Sequence, residues 1–205
     1  MLSFFQNVLL GLSLAAPTGP VNIEAIKRGL RDGFMHAFLI GVGAALADTT
    51  SLILVFLGLS VFIEFPYVQA GIWLLGAGVL VYLGSVSLKE SADKIRSKKA
   101  TPSNRAPLIE GYILAITNPM GWVWWLGVSG VIMGSLGGIS KTFAFLSSLP
   151  IILGTLLWFS AVALLLHFGR RFVNEKTMKI ISFLAGLILM GFGMRFGYQA
   201  ILALT

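Results

Sequence analysis

The sequence is poor in charge. Asp, Glu, Lys and Arg make up 11% of its 205 residues, against about 25% in a soluble domain. Apolar residues make up 57%, and the mean hydropathy is +0.90. Stretches of ~20 apolar residues are long enough to cross the hydrocarbon core of a bilayer. The chain therefore reads as an integral membrane protein, one membrane domain over residues 1–205 with no length left for a soluble domain. Cysteine is absent, which excludes disulfides, thiolate metal sites and thiol redox chemistry. No basic segment precedes the first apolar run, "MLSFFQNVLL", so that run is expected to stay as a span rather than be cleaved as a signal peptide. No cofactor and no metal site are expected. The net charge of +7 sits in short loops, where topology explains it better than a nucleic-acid partner does.

What the sequence does have is long apolar runs with few charges, at residues 2–27, 34–62, 68–88, 108–134, 142–168 and 180–202. Each exceeds the ~9–11 residues of a barrel strand, and none alternates, so all six are expected to be helices. The fold class predicted is an all-α membrane protein of six transmembrane helices. The loops after spans 1, 3 and 5 hold 13 of the 15 Lys and Arg, leaving Lys141 and Arg195 for the other side. The positive-inside rule places those loops in the cytoplasm and both termini outside, in a multi-pass protein of the plasma or inner membrane. The polar segment 89–107 is a cytoplasmic linker, fit also to meet anionic membrane lipid. It separates a three-helix half at 1–88 from another at 108–205. Two such halves must lie in opposite orientations, as an inverted repeat.

Two spans carry breaks. "APTGP" at 16–20 resembles "AITNP" at 115–119, each near the middle of the first span of its half. Proline donates no N–H, so Pro17 and Pro20 leave the carbonyls of Ser13 and Ala16 without helical partners, and Pro119 does the same to Ala115. Gly19-Pro20 and Asn118-Pro119 are also helix-start signals. Each break is thus expected to offer carbonyls to a cation or ammonium and a positive half-helix end to a carboxylate. At that depth irregular backbone persists only where it lines a cavity or is buried in protein. The ordinary alternative is a proline kink repaired by neighbouring helices. The residues expected to bind substrate are Thr18, Gly19, Pro20, Val21, Asn22, Asn118, Pro119, Gly121 and Trp122.

Asp48 lies near the middle of span 2, where a carboxylate costs about 2.5–3.5 kcal/mol on insertion scales and must face the bundle interior. It is expected to carry a proton or meet a substrate ammonium. Its structural alternative is a protonated hydrogen-bonding group. Glu24, just past the first break, is placed between the same role and an interfacial one, and Glu110 is read as interfacial or gating. Trp122, Trp124 and Trp125 lie too deep for an interfacial belt; packing is their expected role, with a ring face for an ammonium as the alternative. Arg195, roughly 22 Å along span 6 at 1.5 Å per residue, is expected to snorkel to the outer interface, with substrate binding as the alternative. "GVSG" at 127–130 matches an intramembrane-protease pattern. Its Ser129 and the conceivable base His167 fall at opposite ends of their spans, more than ~20 Å apart against the ~3 Å that catalysis requires. No enzyme is expected.

Pro17-Thr18-Gly19-Pro20 followed by "IKRGLRDG", "GVGAALAD" ending at Asp48, and Asn118-Pro119 together resemble the lysine-exporter (LysE) superfamily of amino-acid exporters, over nearly the whole chain. Many members carry P-G-P at the first break where this chain has P-T-G-P, a difference that bears on substrate. The resemblance implies export of an amino acid or similar small zwitterion from the cytoplasm by proton antiport, in a homodimer. An inorganic cation exporter of the same superfamily type, using the same carbonyls and Asp48, is the alternative.

Overall fold

A computed structural model describes residues 4–16, 19–59, 65–92, 106–135 and 141–204. Pro17, Thr18 and most of the polar linker lie outside these described residues, whose regular structure is all helical. Helix α1 covers Phe4–Ala15 and α2 Pro20–Asp32, α3 covers Phe34–Leu54, and α4 covers Pro66–Ala92. Helix α5 covers Pro107–Ile116, α6 Pro119–Ser135, α7 Lys141–Gly169 and α8 Glu175–Leu202. Four helical stretches, Phe34–Gly58, Pro66–Lys89, Thr142–Phe172 and Glu175–Leu202, are long and apolar enough to cross a membrane. Large apolar side chains such as Phe5, Leu57 and Leu165 stand on the outside, the inverse of a soluble surface. This is a multi-pass membrane protein.

The apolar runs at 2–27 and 108–134 each divide into two helices at the proline break, α1 and α2 in one case, α5 and α6 in the other. Pro20 and Pro119 are the first residues of α2 and α6, where a missing N–H costs nothing. Helix α2 ends at Gly33, whose φ of 97° is open to glycine and lets α3 start at the next residue. Gly58, at φ 91°, ends the wide helical turn Val55–Leu59 that closes α3. At the start of α8 the Asn174 side chain accepts the Thr177 N–H at 2.8 Å, a standard N-cap.

Helix α4 packs along α8, α3 along α5 and α7, and α1 along α7. Glycines let several of these backbones touch. A Cβ on Gly11 would strike the Ile151 carbonyl, and one on Gly154 the Val8 carbonyl, across α1 and α7. A Cβ on Gly111 would strike the Ile40 carbonyl, and one on Gly43 the Leu108 carbonyl, across α5 and α3. Small residues serve membrane helices in this way because lipid supplies no hydrophobic drive for helix association, and close packing must do it. Gly186 and Gly193 fit α8 against Leu88 and Val81 of α4 likewise. The half-helix α2 is wedged among α3, α5, α7 and α8, with Ala25 wholly buried against Ile40, Ala44 and Phe159.

Candidate functional site

The two breaks open onto one cavity of about 480 Å³, within the roughly 300–1,000 Å³ usual for small-molecule sites. Its wall includes Gly19, Pro20, Val21 and Asn22 from the first break and Ala115, Asn118 and Gly121 from the second. Asp48 reaches it from α3, where Trp125 of α6 donates its indole N–H to the Asp48 carboxylate at 3.1 Å. Trp125 is itself buried, so α6 holds the carboxylate in place from behind. The rest of the wall is largely apolar, with Trp73, Ile151, Phe159, Phe192 and Phe196 among its members.

Side chains occupy part of the freed backbone. Asn22 donates its amide N–H to the Ala15 carbonyl at 2.9 Å, and its own oxygen accepts the Trp158 indole N–H at 3.0 Å. One side chain thereby ties the end of α1, the start of α2 and the middle of α7. At the second break Trp122 donates to the Ile116 carbonyl at 2.9 Å. The Ala115 carbonyl, expected to lack a helical partner, accepts the Asn118 N–H at 3.1 Å, because the chain makes a tight turn there instead of simply stopping. Repair and cavity therefore coexist at these breaks.

The two half-helix starts differ. Asn118 caps α6, its side-chain oxygen accepting the Met120 N–H at 3.2 Å, and the Gly121 N–H bonds to the Asn118 carbonyl at 3.0 Å. Gly19, the corresponding residue before α2, has no side chain with which to do this. The positive end of α2 is thus left to the cavity more fully than that of α6.

The far end of α2 carries a second constellation. Lys27 pairs with Glu24 at 2.8 Å and donates to the Ser87 hydroxyl of α4 at 2.8 Å. Arg28 grips Glu110 of α5 through Nη2 at 2.8 Å and Nε at 3.1 Å, and Asp32 through Nη1 at 2.9 Å. The side chains of Glu24, Lys27 and Arg28 are at most 1% exposed. Arg31 bonds both oxygens of Asp32 at 2.9 Å. Burial would raise the Asp32 carboxyl, but the Arg31 hydrogen bond and the charges of Arg31, Arg28 and His36 outweigh it and hold the group below its ordinary value.

Of the residues expected to form the site, Gly19, Pro20, Val21, Asn22, Asp48, Asn118 and Gly121 line the cavity together. Pro119 is buried at the head of α6, Trp122 bonds the backbone of the break, and Glu24 belongs to the ion-paired constellation. Thr18 lies outside the described residues. Lys27 and Arg28, read from the sequence as loop charges, are buried and paired within a helix. Arg195, Gln199, Thr155 and Trp124 line the cavity without having been picked out as site residues. For Arg195 a signal existed: Phe192, Arg195, Phe196 and Gln199 fall on one helical stripe. His167 packs by α7 against the Phe34 and Phe168 rings, and Ser129 lies on α6, its side chain outside what is described.

Known proteins resemble this chain along most of its length. The model of the "LysE type translocator" family matches residues 12–200. The "Putative amino acid efflux protein YcgF" of Bacillus subtilis is 35% identical, over 97% of this chain and 96% of its own length. The "Arginine exporter protein ArgO" of an Enterobacter species is 27% identical, over 92% and 90%. The "Chemotactic transduction protein ChpE" of Pseudomonas aeruginosa is 24% identical, over 92% and 94%. No solved structure matches.

Proposed function

The chain belongs to the LysE type translocator family and is a transporter rather than an enzyme; from that premise we propose that it exports an amino acid or similar small zwitterion from the cytoplasm in exchange for protons. The observation that carries this reading is the cavity shared by both helix breaks, with the Asp48 carboxylate held in its wall by Trp125. A zwitterion needs an anionic contact and a cationic one. Asp48 supplies the first, and takes the proton when the substrate leaves. The uncapped start of α2 at Gly19–Val21 supplies the second through its backbone dipole. Asn22 and Asn118 hold the two breaks open around the substrate, and Gly121 leaves room beside it. Two similar relatives support the cargo, one named for amino acid efflux and one for arginine export.

The proposal includes six spans in two inverted three-helix halves, with both termini outside the cell. The glycine contacts support it. Gly11 meets Ile151, three residues before Gly154, and Gly111 meets Ile40, three residues before Gly43. The first helix of each half thus touches the second helix of the other half through matching positions, the arrangement an inverted repeat produces. A homodimer, implied by the resemblance, is part of the same proposal and is tested by light scattering in detergent. An inorganic cation as cargo is disfavoured, because no group of three His, Cys, Asp or Glu side chains converges among the described residues.

The test is purified protein in liposomes with a pH-sensitive dye inside and a panel of amino acids. Amino-acid movement should be accompanied by proton movement, and Asp48→Asn should uncouple the two. Transport and coupling that survive Asp48→Asn unchanged would sink this mechanism.

A further inference from the structure

Asp48 and Arg195 are the two ionisable residues in the cavity wall among the described residues. Arg195 stands on the stripe of α8 that also presents Phe192, Phe196 and Gln199 to the cavity. Its neighbour Phe196 is buried in the same apolar cluster that Val21 of the α2 start packs against, and its ring meets Trp73 edge-on at 4.9 Å. Arg195 and the uncapped start of α2, Gly19–Val21, line the same cavity. Among the described residues no carboxylate pairs with the guanidinium and no acceptor takes a hydrogen bond from it. An exposed guanidinium in the wall of a largely apolar cavity, without a partner among the described residues and sharing that cavity with a positive helix end, offers charge-assisted hydrogen bonds to an anion. A residue that only snorkels has no reason to share a helix stripe with cavity-lining phenylalanines.

We infer that Arg195 is a specificity-determining residue that binds the substrate carboxylate together with the start of α2, and that the cavity selects net-neutral amino acids with apolar side chains and excludes dibasic ones. This rests on the transport reading above. The charge balance makes the selection: Asp48 and Arg195 cancel, as do the ammonium and carboxylate of a neutral amino acid. A dibasic substrate adds a second cation for which the wall holds no second carboxylate, and it does so in the field of Arg195. The phenylalanine and tryptophan faces that make up most of the wall suit an aliphatic or aromatic side chain. The chain would then differ in cargo from the arginine exporter to which it is similar.

Counterflow of radiolabelled L-leucine, L-phenylalanine and L-arginine in liposomes containing the full chain tests the inference. The wild type is expected to exchange leucine and phenylalanine and to leave arginine behind. Arg195→Gln should raise KM for the neutral pair about tenfold, the usual cost of losing a hydrogen bond to a charged group, and should admit arginine. Arg195→Lys should keep the preference with a smaller rise in KM. All three proteins should share one melting midpoint, because Arg195 is exposed and bonded to nothing that holds the fold. Arginine exchange by the wild type, or a KM and preference indifferent to Arg195→Gln, overturns the inference and leaves the transport reading intact. A wild type that moves none of the three overturns both.

Discussion

The two ends of helix α2 handle charge in opposite ways. At its start, Asp48 and Arg195 face a cavity, and the backbone dipole is left without a cap. One to three turns later, Glu24, Lys27, Arg28 and Asp32 are buried and paired to one another, to Ser87 of α4 and to Glu110 of α5. The first arrangement keeps electrostatic capacity unspent for a visitor. The second uses it up internally and joins three helices. Burying an ion pair is close to neutral for stability, because desolvation offsets the attraction, whereas removing one partner is severe. The paired end is therefore expected to govern whether the protein holds together, and the open end what it carries.

The sharpest way to break that contrast is Arg28→Met. It strands Glu110 in a buried site and should cost about 3–5 kcal/mol, a fall of about 10 °C in melting midpoint for a chain of this size. Adding Glu110→Leu should restore most of it, and a double variant no more stable than the single would show that the pairing is incidental. Next in size, Gly11→Ala and Gly111→Ala each push a methyl into a carbonyl of the neighbouring helix, at about 1–3 kcal/mol. The two losses should match, since the two contacts correspond. Unequal melting shifts would weaken the case for inverted halves. Trp125→Phe removes the N–H that Asp48 accepts and leaves a smaller ring in a buried site, so it should lower the melting midpoint by a few degrees at about 1–2 kcal/mol. It should lower amino-acid exchange by about tenfold, the scale of one hydrogen bond to a charged group. The smallest effect concerns Asp32. Its carboxyl titrates lower in the folded protein than its ordinary value of 3.8, so its contribution is complete above that value and fades as pH falls through the lowered one. Asp32→Asn should therefore melt below the wild type at pH 7, and the gap should narrow as the pH of the melt is taken below 3.8.

Sequence reading reached the breaks because proline and glycine act on the backbone locally: Pro17, Gly19, Pro20 and Pro119 announce themselves within five residues. It reached Asp48 because a carboxylate amid apolar residues has so few places to go. The buried constellation was hidden by the same logic, since Lys27 and Arg28 follow an apolar run and short basic segments in such places usually face water. Their burial depends on Glu110, 82 residues away, and on the length of α2 beyond the break. A hint lay in the spacing of Glu24, Lys27, Arg28 and Asp32, which puts them on neighbouring faces of one helix. The place of Arg195 in the cavity wall was hidden for a different reason. Its depth was estimated, but depth along a helix says nothing of azimuth, and it is azimuth that turns it toward the cavity.

The glycine contacts also bear on how this molecule can move. Where one helix backbone rests directly against another, no side chain lies between them to change rotamer and absorb a displacement. The couples α1 with α7 and α5 with α3 are therefore each a single stiff piece with one way to sit. The helices of these couples are divided elsewhere, α1 from α2 and α5 from α6, at the two proline breaks. The residues proposed to touch the cargo stand beside those divisions, so a substitution there would bear on cargo and on helix placement at once.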